Sequence, residues 1–416
     1  MSVLTAPGFP EELVRERARS GAAAAFPDPA GYGASLLGHQ AAPDGDPLDA
    51  ARLVPPVFVP DRLEKLYDLG REPTMDDVEL VTDVGGLRSP VPFYVSAFGS
   101  TAAARDLGHQ VARQAGRGGV PMVIGENVLA STGSGRLDSD RFGALLHRVA
   151  AYADVVPDGR GGVVVQQSTE DADGEVWNLV YTDPSVQPLL ATGRLAFELK
   201  VGQGAKPGLG GMTLVSRADA GALADRYLLA DVHGPSSDVV LRSSSPGTFT
   251  AEILRQQVRL MRNNYPRCRV WVKLSPARDV ASAAAVAWEA GADAVTVDGA
   301  EAGTGWAPGV FLARAGLPLG ECLARLRPGV DDCLLASGRI WEGARAVTCL
   351  ALGARALGLG RAALLAVDED PELGLTRLLE CLALEVRMLT SALGRYRASD
   401  LAPEDVWHPA GLLGSG

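Results

Sequence analysis

The sequence predicts an α/β fold: a (β/α)8 TIM barrel with an N-terminal arm or cap over residues 1–90 and a helical tail over 371–416. Three observations predict it. Eight short apolar runs alternate with Ala-rich stretches of helical character between residues 91 and 370. Polar residues stand at the C-terminal ends of those runs. The last two runs each enter a glycine turn that opens a helix.

The elements follow in order. Residues 1–90 are rich in Pro, Gly and Ala, with a helical patch near Glu11–Ala25 and a polar stretch over Gln40–Asp49. No core pattern appears there, so an arm or cap is expected, not a separate domain. The predicted strands are Pro92–Ala97, Pro121–Gly125, Gly162–Gln166, Leu195–Val201, Val270–Leu274, Ala294–Val297, Cys333–Ala336 and Ala356–Leu359. Helices are expected over Ala102–Arg117, Thr250–Asn264 and Val280–Ala290. Alternating strands and helices make a parallel sheet, and a regular set of eight favours closure over an open doubly wound sheet, because closure removes the edges. Gly202–Phe249 is expected to be a long functional loop on the C-terminal face. An amphipathic helix near Leu373–Leu393 would pack on the barrel or on a partner subunit.

Composition narrows the function. Apolar residues make up 47% of 416, enough for a large core. The net charge of -11 and the lack of a basic run exclude nucleic acid as the expected partner, since phosphate neutralisation needs clustered Lys and Arg. No stretch approaches the roughly 20 apolar residues that span a bilayer, and Met1–Pro7 shows no charged-then-apolar leader. A cytoplasmic enzyme, forming a homo-oligomer and acting on a small molecule, is the expectation. The five cysteines (268, 322, 333, 349 and 381) form no CxxC pair, which points to buried thiols and no metal site.

Catalytic groups in barrels sit at the C-terminal ends of strands. Ser96, Glu126, Gln166, Lys200, Lys273, Asp298, Ser337 and Arg339 fall at such ends. The sharpest local signal is the pair Ser337-Gly338-Arg339 and Gly358-Leu359-Gly360-Arg361. Glycine lets backbone N–H groups approach an anion, the helix N-terminus favours one, and Arg339 or Arg361 can add charge-assisted bonds. A phosphate is therefore expected there; the bland alternative is a pair of tight turns. The small residues Ser96, Ala97 and Ser100 after the first strand would let a flat ring approach the backbone, or Ser100 would simply cap the next helix. Lys273 at a barrel mouth could stabilise negative charge on an electron-rich ring. The loop GQGAKPGLGG is not a Walker A loop, because no GK[ST] follows at the required spacing. Of the histidines, only His233 falls where it could reach the mouth; His39, His109, His147 and His408 do not.

The segments PFYVSAFGS, VIGEN, VVVQQS, FELKVGQGAKPGLGG, VWVKL, GTGWAP, ASGRIWEG and LGLGRAAL stand in the order found in the FMN-binding synthase domain of glutamate synthases, which the chain resembles over roughly residues 90–365. The resemblance implies FMN, with its phosphate on Ser337, Gly338, Arg339, Gly358, Gly360 and Arg361. It implies the flavin ring near Ser96, Ala97, Ser100, Gln166, Lys273 and Gly303. It also implies substrate contacts at Lys200, Lys206, Arg226 and Glu301, with Glu126 as acid/base. Hydride would pass between an amino acid, amine or 2-oxo (imino) acid and flavin N5, with oxygen or a redox protein as external electron partner.

Departures qualify this. The acid and glutamine of the family's GAKPGEGGQ are Leu209 and Met212 here, and the histidine of GHDGGTG is absent from Gly299–Gly305. No amidotransferase module is expected in residues 1–90, and Cys381 stands alone where the family has a cysteine cluster. Two alternatives stay open. One is a flavin-binding subunit of a multi-protein glutamate synthase-type complex. The other is a non-redox FMN-dependent isomerase, whose diphosphate site would draw on Lys206, Arg217, Arg226 and Arg242.

Overall fold

The computed structural model describes residues 4–25, 48–98, 102–125, 139–169, 175–202, 204, 212–225, 227–231, 235–243, 249–303 and 309–408. Eight parallel strands close into a barrel: β1 (Phe93–Phe98), β2 (Met122–Ile124), β3 (Val163–Ser168), β4 (Leu195–Lys200), β5 (Arg269–Leu274), β6 (Ala294–Asp298), β7 (Leu334–Ser337) and β8 (Ala356–Leu359). Each pairs with its neighbour in sequence, and β8 pairs with β1 to close the ring. The (β/α)8 class is therefore correct, with strand ends within two residues of those expected.

The helices used below are α1 (Glu11–Ser20), α2 (Ala102–Gly118), α3 (Ser139–Ala153), α4 (Ala251–Asn264), α5 (Val280–Glu289), α6 (Gly343–Ala351), α7 (Arg361–Glu369) and α8 (Gly374–Ala392). α4 shows why such segments become helices. The Thr250 hydroxyl caps it by accepting from Ile253 N at 3.2 Å, and Leu254, Val258 and Met261 form the buried stripe that meets the barrel.

Strand alternation divides the side chains between two cores. Outward residues such as Val95, Val163, Val165, Phe197, Val270 and Val272 join the helices in the larger core. Inward residues such as Tyr94, Val123, Val164, Ala196, Trp271 and Leu335 fill the barrel. The arm supplies the floor of the inner core. A hairpin of Thr82–Val84 and Leu87–Ser89 adds Val84 and Leu87 to that cluster. Its turn at Gly85 has φ 57°, and a Cβ there would stand 2.5 Å from Trp271 Nε1, so glycine is required. The same indole donates to Gly85 O at 3.0 Å.

The segment expected to be a long loop is partly ordered as a sheet. Met212–Ser216, Leu228–Ala230 and Val239–Ser243 form three antiparallel strands. Runs such as VVLRS carry the β-branched residues that suit this pairing. The helix expected near Leu373–Leu393 is α8; it packs on α6, α7 and the arm helix α1. Among the described residues no helix is long and apolar enough to cross a membrane.

Candidate functional site

One step up from the apolar filling of the barrel, the inward positions become almost wholly polar: Ser96, Gln166, Glu198, Lys273, Thr296 and Ser337, all buried. This layer lies at the C-terminal end, where loops converge. Glu198 is its centre. Gln166 Nε2 donates to one carboxylate oxygen, and Thr296 Oγ1 donates to the other at 3.1 Å. Burial lifts the Glu198 carboxyl above its ordinary range, against the pull of the Lys273 charge. Lys273 Nζ stands 3.2 Å from Asp298 Oδ2, which also accepts from Gly204 N at 3.2 Å. The second oxygen of Asp298 is buried and has no hydrogen-bond partner among the described residues. Burial also pushes the Tyr94 phenol well above its usual range, with the charges of Glu198 and Asp298 adding to the effect.

Beside this layer lies a small cleft lined by Phe9, Ala302, Gly303, Ser337, Gly338, Arg339, Ile340, Gly358, Gly360 and Arg361. It sits where the turns after β7 and β8 meet. The Ser96 and Ser337 hydroxyls are 3.3 Å apart, and a Cβ on Gly358 would fall 2.1 Å from Ser96 Oγ, so β1 and β8 can meet here only through glycine. Gly360 precedes α7 with no side chain capping the helix, and a Cβ there would meet nothing within 4 Å. Space and uncapped helix start together suit a small anion.

Two guanidinium groups, Arg361 and Arg339, line the cleft, and a third, Arg345, lies behind it. Arg361 donates to Glu301 O and lies 4.6 Å over the Phe9 ring. Burial pulls it down to about 10, and Arg339 and Arg345 push the same way against Glu301. Arg339 pairs with Asp49, and its φ of 56° makes it the one described non-glycine residue with a left-handed backbone. Arg345, wholly buried, bonds Asp49 at 2.9 Å, Glu301 at 2.7 Å and Gly338 O at 2.9 and 3.2 Å.

The structure gathers most of the residues singled out in the sequence. Ser337, Gly338, Arg339, Gly358, Gly360, Arg361 and Gly303 share the cleft. Ser96, Gln166 and Lys273 share the polar layer, and half-buried Ala97 touches the inner core. Lys200 ends β4 opposite Lys273 in the strand register. The carboxylate of Glu301, a residue expected at the substrate, accepts from Arg345 and from Leu319 N at 3.1 and 3.2 Å. Ser100, Glu126, Lys206, Arg226 and His233 lie outside the described residues. All five cysteines are buried, and burial raises the Cys268, Cys322 and Cys333 thiols to about 12.

Sequence reasoning missed Glu198, Thr296, Phe9, Asp49 and Arg345. The first two were findable: in LAFELK and AVTVD, every second residue points inward, which makes Glu198 and Thr296 inward polar positions. The arm residues gave no such signal.

A family model described as the conserved region in glutamate synthase matches residues 135–369, more than half of the chain. The archaeal-type glutamate synthase [NADPH] of Dehalococcoides mccartyi is 32% identical over 186 residues, covering 43% of this chain and 36% of that protein. The archaeal glutamate synthase [NADPH] of Methanocaldococcus jannaschii is 33% identical over 180 residues, covering 41% and 34%. The glutamate synthase large subunit-like protein of Rhizobium meliloti is 34% identical over 190 residues, covering 42% and 40%. The matched part thus spans between a third and two-fifths of these relatives. Among solved structures, an active chimera of (S)-mandelate dehydrogenase aligns with TM-score 0.56 and 19% identity over 96% of this chain and 99% of that one. Flavocytochrome b2 with sulfite bound aligns with TM-score 0.55 and 19% identity over 88% and 78%. These two likenesses concern the fold, whereas the sequence match decides kinship: the chain belongs to the family defined by the conserved region of glutamate synthase.

Proposed function

We propose that the chain is a glutamate synthase-like, FMN-dependent oxidoreductase acting on a small polar substrate: an amino acid, an amine, or a 2-oxo or imino acid. The observation that carries the reading is the juxtaposition of a glycine-lined, arginine-flanked cleft with a buried polar layer holding Lys273. The open space at Gly360 and the uncapped start of α7 fit a phosphate monoester. Ser337, Gly338, Arg339, Gly358, Gly360 and Arg361 would hold that phosphate, with Gly303 alongside. Ser96, Ala97, Gln166 and Lys273, with Ser100, would meet the ring.

FMN, when bound, supplies an electron sink that exchanges a hydride at N5. The Lys273 ammonium, already fixed by Asp298, offers a positive charge in a site where low dielectric strengthens it. Lys200, Lys206 and Arg226 are the candidates for a substrate carboxylate, and Glu126 for acid/base work. Oxygen or a redox protein would be the external electron partner. A cytoplasmic setting and a homo-oligomer belong to the same proposal.

Purified protein should be yellow, and anaerobic mixing with a panel of amino acids, amines and 2-oxo acids should bleach it with at least one of them. Colourless protein that FMN cannot reconstitute would sink the reading.

A further inference from the structure

We propose that the N-terminal segment is a working part of the cofactor site: Phe9 and Asp49 complete its phosphate end, and preference for a phosphorylated over an unphosphorylated flavin depends on them. The inference rests on the FMN reading and goes beyond it, because it moves part of the site outside the barrel.

Phe9 lines the cleft and is itself buried. The Arg361 guanidinium lies 4.6 Å over its ring. A planar cation stacked on a ring keeps its N–H fork in one plane, which an anion can then meet at two points.

Asp49 acts on the other turn. One carboxylate oxygen pairs with Arg339 and the other with Arg345 at 2.9 Å. Arg345 in turn donates twice to Gly338 O. Asp49, Arg345 and the Gly338 carbonyl therefore form a continuous linkage that fixes the turn after β7, where Arg339 adopts its left-handed backbone.

The arm helix anchors the same two turns from behind. Arg15 of α1 bonds Asp368 at 2.8 Å and Glu369 at 3.2 Å, at the far end of α7. Arg17 bonds Glu385 at 2.8 Å, and the other oxygen of Glu385 accepts from Gly343 N at 2.6 Å, at the start of α6. Both helices that open from the glycine turns are thus tied to one N-terminal segment.

The arrangement of charge suits this role. Arg339 and Arg361 line the cleft, and Arg345 behind them joins the carboxylates of Asp49 and Glu301, with Glu342 in the same cluster. The carboxylates hold the guanidinium groups in position, and the two that line the cleft present their N–H groups to an anion there.

The test compares FMN with riboflavin, which carries the same ring and ribityl chain and lacks only the phosphate. Dissociation constants for both flavins are measured by fluorescence quenching on the full-length apoprotein, for wild type, Phe9→Ala and Asp49→Asn. Each substitution should weaken FMN by about tenfold or more while riboflavin stays within about twofold, the size expected for one disturbed charge-assisted contact. Folded variants that keep the wild-type FMN-to-riboflavin ratio overturn the inference. So does tighter FMN binding by Asp49→Asn, since Asp49 would then be a competitor of the phosphate. If Asp49→Asn does not fold, Phe9→Ala decides alone. Wild-type protein that binds neither flavin fails earlier, and what falls is the FMN reading itself.

Discussion

Lys273 Nζ lies 3.2 Å from Asp298 Oδ2, and both side chains are sealed inside the barrel beneath its mouth. Removing one member of such a pair leaves the other as an uncompensated buried charge. Lys273→Met should therefore destabilise the fold by about 3–5 kcal/mol, and Lys273→Met with Asp298→Asn should recover most of that loss. Urea titrations of the single and double variants measure both. In the FMN-loaded protein, Lys273→Met should slow flavin reduction more than it weakens FMN binding; the opposite order would make the lysine purely structural.

Glu342 precedes α6 in the charged cluster behind the cleft. Burial lifts its carboxyl from 4.5 to about 7, with Asp49 and Glu385 adding to the effect against Arg17 and Arg345. The folded state thus binds this proton more tightly than the unfolded chain does. The associated stability is fully present below about 4.5 and is lost as pH rises through about 7. Glu342→Gln should flatten the decline of Tm across that window and melt higher above it. Glu198, shifted in the same direction, stays in the variant, so the slope is reduced and not abolished. An unchanged Tm profile would show that Glu342 does not carry the shift.

Arg339 combines an ion pair with a backbone that favours glycine. Arg339→Gly removes the pair and relaxes the backbone; Arg339→Ala removes the pair and keeps the strain. The alanine variant should be less stable than the glycine variant by about 1 kcal/mol, the ordinary cost of a left-handed residue with a Cβ. Chemical denaturation of the two variants side by side isolates this difference. Equal stabilities would mean that the turn rearranges once the guanidinium is gone.

Gly358 is held to glycine by its neighbours, since an added Cβ would fall 2.1 Å from Ser96 Oγ and 2.8 Å from the Tyr94 ring. Gly358→Ala should cost about 1–3 kcal/mol by overpacking. Adding Ser96→Ala removes the nearer contact and should return part of that cost. A thermal melt series checks the order: wild type highest, the double variant between, Gly358→Ala lowest.

How much of this was readable beforehand depends on the range of the interaction. The eight strands were legible because each is a short apolar run whose neighbours in space are also its neighbours in sequence. The two glycine turns were legible for the same reason, and they meet in one cleft. Phe9 and Asp49 were not legible. Asp49 meets Arg339 and Arg345 at 290 and 296 positions downstream, and Phe9 meets Arg361 from farther still, and nothing local in an irregular, Pro-rich arm marks a residue for such a contact. The contact of Glu301 was equally hidden: Arg345 reaches its carboxylate from α6, 44 positions along the chain. The strands within 212–243 were hidden by charged residues in their turns, although VVLRS already carried the pattern of a strand.

The hairpin at Thr82–Ser89 stoppers the barrel, with Gly85 fastened to the Trp271 indole. Because the inward side chains already fill the barrel, this fastening works as a keystone: the N-terminal hairpin and the middle of β5 share one contact, and loosening either end of it loosens the floor on which the polar layer stands.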